Sequence, residues 1–249
     1  MLRRALPFVI FALAAPAAVA QVTVVDVENR SYSCRDLSAT GDGKLSFVDL
    51  QGRPVTLACT EIAEITWPRE TGRSATSLLR VEFTDGDLWT GEISEATEAG
   101  VRLKSPDLGI VEARFENLDR IVFPGGAGMI PADPADDQHD VVFKRNKDTD
   151  RGGIVKLDAQ ALTIHSELFQ RDESIPLAEI AAIQFSRLQD PPAEGDRLLA
   201  ILSGHRGSRL IGLLKQVSKT QVVVETLYGE THTVPVGAVA SLHFKNGRV

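Results

Sequence analysis

Between Asp85 and Phe123 apolar and polar residues alternate in short runs, and each run ends at a turn. Val101 and Leu103 form one alternation, and Val111, Ala113 and Phe115 the next. Leu118-x-x-Ile121-x-Phe123 closes the stretch. A period of two marks half-buried strands, so with the opening run Leu79-x-Val81-x-Phe83 the pattern predicts about five short strands.

The pattern recurs. Trp67, Phe123, Phe185 and Phe244 each end a copy. Two positions before them stand Ile65, Ile121, Ile183 and Leu242; five before, Ile62, Leu118, Ile180 and Val239. Eight before stand Cys59, Phe115, Leu177 and Val236. The early halves match without gaps in three copies, through Leu37, Ile93 and Leu214. The third copy needs one residue of slip, giving Ile154, Leu162 and Ile164. A turn absorbs such a slip, whereas inside a strand it would turn every side chain to the other face. Apolar spacing of three near each end, as in Leu177-Ala-Glu-Ile180, imitates a helix. The run is far shorter than the ~12 residues an independent helix needs. A single 3₁₀ turn between two short strands fits all four copies.

The predicted fold is therefore all-β: a tandem array of four small repeats at 21–68, 78–124, 141–186 and 197–246. Pro/Gly-rich or acidic connections separate them, the longest an acidic Pro/Gly linker at 125–140. Units this small bury marginal area alone, so packing in pairs is expected.

Residues 1–20 read as a signal peptide: Arg3 and Arg4, an apolar middle, then Ala18-Val19-Ala20 as an A-x-A cleavage site. Export to the periplasm or the medium is the expectation, with no stable membrane span after cleavage. The formal net charge of −7 becomes more negative once both arginines are removed. A dispersed acidic balance argues against nucleic acid, which calls for a concentrated basic face. The two cysteines, Cys34 and Cys59, form a possible disulfide in an oxidising compartment, or buried thiols.

The clearest copy resembles the Sm-like small β-barrel. Asp85-Gly86 is followed by Leu88-x-x-Gly91-x-Ile93, then Val101-x-Leu103, then the closing turn and strand at Leu118–Phe123. The fourth copy, Leu198–Phe244, keeps this order with Gly212 in place of Gly91. The first and third match mainly in their second halves, and SH3-like barrels share much of the pattern. The resemblance implies repeats of small barrels that pack on one another. It does not carry RNA binding across: the corresponding loops read Glu95-Ala-Thr-Glu-Ala99 and Asn117-Leu-Asp-Arg120, acidic or lacking the family's pair.

Candidate chemistry is sparse. His139 with Asp133, Asp136, Asp137 and Asp140 lacks a fixed ligand spacing and reads as a solvated linker. Asp148-x-Asp150-x-Gly152 starts like a calcium loop, but its twelfth position is Ala159 where a bidentate Glu is needed. Neither a G-x-S-x-G elbow nor an H-E-x-x-H run occurs. No catalytic residue, cofactor or metal is nominated. The expectation is an exported, non-enzymatic binding or scaffolding protein acting on an envelope protein or polymer. An envelope-polysaccharide binder, using Trp89, Tyr32 or Tyr228, is one alternative; a hydrolase with a site formed between repeats is another.

Overall fold

The computed structural model describes residues 21–40, 43–68, 78–97, 99–130, 138–158, 160–187 and 190–246. They form twenty antiparallel strands of one hydrogen-bonded sheet, with no α-helix among the described residues. The first unit holds β1 (Val22–Asp26), β2 (Ser31–Thr40), β3 (Lys44–Asp49), β4 (Pro54–Ala58) and β5 (Ile62–Thr66). The second holds β6 (Leu79–Phe83), β7 (Leu88–Ala96), β8 (Gly100–Ser105), β9 (Gly109–Arg114) and β10 (Leu118–Val122). The third holds β11 (Asp140–Lys144), β12 (Thr149–Leu157), β13 (Ala161–Ser166), β14 (Arg171–Pro176) and β15 (Ile180–Gln184). The fourth holds β16 (Leu198–Gly204), β17 (Arg209–Val217), β18 (Gln221–Thr226), β19 (Thr231–Pro235) and β20 (Val239–Asn246).

Within each unit the pairing order is the same: fifth strand, first, second, third, fourth. Units 3 and 4 repeat it. Alternation sets the faces: Leu45 and Phe47 of β3 are buried between exposed Lys44 and Ser46. The helix-like endings are single 3₁₀ turns at Cys59–Glu61, Phe115–Asn117, Leu177–Glu179 and Val236–Ala238. Pro176 and Pro235 end β14 and β19, outer strands with one ladder partner each, where a missing N–H leaves no inner ladder bond unmade.

The third unit's extra residue sits in the β13–β14 turn, which carries Leu168 and Phe169 into solvent at 81% and 53% exposure. The first unit needs an adjustment that the gapless match does not contain. Gly152 faces Ser166 and Gly212 faces Thr226, and their counterpart facing Asp49 is Cys34 rather than Arg35. A Cβ at Gly212 would lie 2.1 Å from the Glu225 carbonyl. The second strand of every unit bulges; in β2 the bulge falls one ladder position earlier, between Arg35 and Ser38, with Asp36 in the left-handed region at φ 57.

The units pair in a nested order. β10 of unit 2 lies along β15 of unit 3, with Ile121 opposite Ile183. β5 of unit 1 lies along β20 of unit 4, with Ile65 opposite Leu242. Corresponding residues thus face one another at the centre of each seam, as around a local twofold axis. Units 1 and 4 meet again where Val217 of β17 pairs with Ala39 of β2. That bridge closes a ring of six strands: β1, β2, β17, β16, β20 and β5. A further bridge, Arg209 to Leu88, ties unit 4 to unit 2.

One apolar core runs through all four units. A second small cluster covers the far side of β10, β11 and β15, where Ile130 packs near Ala181 and Ala182. The start of the 125–140 connection is accordingly packed. Phe123 N–H donates to the Ala181 carbonyl at 3.0 Å, and a Cβ at Gly126 would lie 2.0 Å from the same oxygen. Asp133, Asp136 and Asp137 lie outside the described residues.

Candidate functional site

A groove of about 390 Å³ opens at the seam between units 1 and 4. Its apolar wall is built from Val22 on β1, Cys34 and Leu37 on the bulged part of β2, Trp67 and Pro68 after β5, and Val236 in the last 3₁₀ turn. Neither unit makes the groove alone.

The two seams carry different side chains at a corresponding place. Phe115, eight positions before the closing aromatic of unit 2, stacks on Phe185, the closing aromatic of unit 3. Their ring centroids are 5.5 Å apart and the planes differ by 22°. At the other seam the corresponding residues are Val236 of unit 4 and Trp67 of unit 1, and both line the groove. A branched three-carbon side chain stands where the first seam has a ring. Trp67 is nonetheless as buried as Phe185, at 5% exposure each.

The polar edge of the groove carries exposed Arg35, Asp36 and Lys219. Lys219 of unit 4 pairs with Asp36 of unit 1 at 2.7 Å. Arg35 has no ion-pair partner among the described residues, so the edge is net positive on an acidic protein. Burial pushes the Cys34 thiol up to about 11. It stays protonated at neutral pH, an apolar wall rather than a thiolate nucleophile.

The contact between units 2 and 4 is dense in polar groups. Asp107, between β8 and β9, accepts from the Arg206 amide at 3.0 Å and the Ser208 amide at 3.1 Å. Thr90 and Ser208 join hydroxyls at 3.0 Å. In the β6–β7 turn, Asp87 accepts the Ile211 amide, and Arg209 donates to the Gly86 carbonyl at 2.6 Å. Burial first, and the Asp85 charge second, hold the Asp87 carboxyl well above its ordinary value. Burial also raises Asp85, Tyr228 and Glu230 and lowers His232, whose ring meets Trp89 edge-on at 5.1 Å. Alternation along β7 gives no hint of this cluster, because its members come from turns and strand ends of two distant units.

The structure does not bring Cys34 and Cys59 together. Cys34 faces Asp49 at one end of β3, while the Cys59 amide donates to the Gly43 carbonyl beyond the other end. Six residues of extended strand span roughly 20 Å, and a disulfide needs Cα atoms within ~7 Å. Both cysteines are buried.

His139 lies 2.7 Å from Glu167, and Asp140 accepts amides from Ile154 and Ser186. Asp150 of the calcium-like run pairs with Lys144 at 2.6 Å. No group of metal-ligating side chains occurs among the described residues. Trp89, a candidate sugar platform, is 1% exposed and packs on Phe83; Tyr32 packs on Phe47, and Tyr228 bonds the Thr84 hydroxyl. A second hollow, of about 460 Å³ in unit 3, is polar and open. Among the described residues no helix is long and apolar enough to cross a membrane. No protein-family model matches this sequence, and comparison with curated proteins finds no match.

Proposed function

We propose that this chain is an exported, non-enzymatic binding protein of the cell envelope that holds a segment of a partner protein in the groove between its first and last units. Each five-strand unit is read as a small Sm-like barrel, its 3₁₀ turn leading the fourth strand back to the fifth. The observation that carries the reading is the apolar, concave groove at the seam between units 1 and 4, which neither unit makes alone. Ligand sites concentrate at such inter-unit clefts, apolar with a few polar groups at the edge. The leader at 1–20 supports the address, and the acidic balance supports a partner other than nucleic acid.

The test is a pull-down from an envelope fraction with the full chain and with Val236→Phe, beside a polysaccharide-binding assay. The expected result is a stoichiometric protein partner that the variant fails to retain. Sugar binding without a protein partner, or a partner retained equally by the variant, overturns the proposal.

A further inference from the structure

Units 2 and 4 meet about a local twofold axis. Leu88 and Arg209, which pair across the contact, stand three positions before Gly91 and Gly212 of their units. The bonds around that bridge are reciprocal. Ser208, four positions before Gly212, accepts the Thr90 amide at 3.2 Å; Asp87, four before Gly91, accepts the Ile211 amide. Each unit also sends the tip of its third-to-fourth-strand hairpin into the turn between the other's first two strands. Lys104 faces Glu92 and Glu225 faces Leu213, so Asp107 and Tyr228, three residues on, correspond. Asp107 takes the amides of Arg206 and Ser208, and Tyr228 bonds the Thr84 hydroxyl.

The two seams and this contact join the units in the spatial order 1–4–2–3. Units 1 and 3 stand at the ends, and among the described residues no strand pairing joins them. Each carries the same tip and the same turn, here open to solvent and apolar. In unit 3, His165 faces Gly153, which puts Leu168 at the place of Tyr228, with Phe169 beside it. In unit 1, Val27 follows β1 as Thr84 follows β6 and is 63% exposed, while Leu50 at the tip is 48% exposed. Of the seven large apolar side chains exposed among the described residues, these two surfaces hold four. Apolar groups gathered on an open surface mark a contact with another molecule.

We propose that the unit 3 face of one molecule docks on the unit 1 face of a second copy, repeating the contact that units 2 and 4 make inside the chain. Leu168 then takes the place of Tyr228 and Val27 that of Thr84, an apolar contact where the chain has a pair of hydroxyls. Charges beside the axis select this pairing over like with like. Asp87 and Ser208 flank the axis within the chain; their counterparts, four positions before Cys34 and Gly152, are Arg30 and Asp148. Two unit 3 faces would set Asp148 against Asp148, and two unit 1 faces Arg30 against Arg30. Unit 3 on unit 1 sets opposite charges together. Each copy offers one face of each kind, so assembly closes into a ring, the smallest of two copies, or runs on as a filament. The inference stands apart from the groove, which lies between units 1 and 4.

Sedimentation velocity of residues 21–249, without the apolar leader, tests this. The weight-average mass is expected to rise with protein concentration across the micromolar range. Leu168→Asp and Val27→Asp, both at exposed positions, should melt as the wild type does and each weaken association by about tenfold or more, the scale of one apolar side chain lost from an interface. Leu168→Ser gives the same reading if the aspartate disturbs the hairpin. Mixed in equal amounts, the two aspartate variants keep one intact pair of faces and should form a complex of two copies that grows no further. A wild-type chain that stays monomeric overturns the inference, as does either aspartate variant associating like the wild type, which means that like faces pair. A mixture no heavier than its components overturns it too. So does a monomeric chain that binds phosphatidylglycerol vesicles and loses them with Leu168→Asp, which assigns the tip to a lipid surface.

Discussion

Ile65 of the first unit lies opposite Leu242 of the fourth, and both are fully buried. Units remote in sequence therefore share a seam, and each protects the other's fifth strand from solvent. Leu242→Ala would leave a cavity on the seam's local twofold and is expected to cost about 2–5 kcal/mol. Amide exchange should rise on β5 and β1 of unit 1 as well as in unit 4. Enhanced exchange confined to unit 4, or passed to unit 3 instead, would contradict the nested pairing.

Removing residues 197–249 gives a coarser reading of the same arrangement. It bares the outer edge of β5 and the groove wall, while the β10–β15 seam stays intact. Limited proteolysis should then cut first within unit 1, the spatial neighbour. First cleavage in unit 3, the chain neighbour, would refute it.

Asp107 is 1% exposed and occupied by amides of another unit. Asp107→Ala leaves the Arg206 and Ser208 amides without their acceptor, at about 1–3 kcal/mol for each group that water cannot reach. Asp107→Asn keeps one oxygen to accept and should lose less. Chemical denaturation of both variants checks the order. Equal losses would mean that side-chain volume, rather than the acceptor oxygens, is what unit 4 needs.

The strands, the 3₁₀ turns and the all-β class were legible because burial in a strand follows a period of two, and four copies repeat it. Leu177-Ala-Glu-Ile180 reads as a helix alone and as a turn beside its counterparts. Pairing between units was not legible: every fifth strand carries the same apolar columns, so any two could face each other. The groove was hidden for a related reason. Val236 and Phe115 occupy one apolar column, and only the pairing of units places Val236 in a groove and Phe115 on a ring. Trp89 stands in an alternating strand, and nothing local shows that unit 4 covers it.

The cysteines allow a direct chemical test. With Cys34 and Cys59 held apart by the length of β3, both should alkylate in denaturant without reductant, adding two adducts by mass. In the folded protein Cys34 should react slowly near pH 8, since burial keeps its thiol protonated up to about 11. Absence of adducts in unreduced denatured protein would establish a disulfide and a different course for β2.

The unit 2–unit 4 contact should make stability fall as pH rises out of the ordinary carboxylate range. Burial and the adjacent Asp85 charge raise Asp87, and burial raises Asp85, so the folded state holds a proton here more tightly than the unfolded chain. Stability from this proton is fully present below the unfolded carboxylate value of ~3.9 and is lost as pH rises through the raised folded value. His232 works in the opposite sense. Burial lowers it, so its contribution is complete above ~6.5 and lost as pH falls toward its folded value. The Arg209 guanidinium and the Ile211 amide favour charged Asp87 but are outweighed by burial. Asp87→Asn keeps an oxygen for the Ile211 amide and removes the ionisation. Above the raised folded value of Asp87 the variant should melt higher than the wild type, by about 2–4 °C for each kcal/mol of relieved charge burial. It should keep the loss on the acid side that belongs to His232. Melting curves across pH decide it: a variant that keeps the wild-type fall in stability above ~3.9 would show that Asp87 is not the group that titrates there.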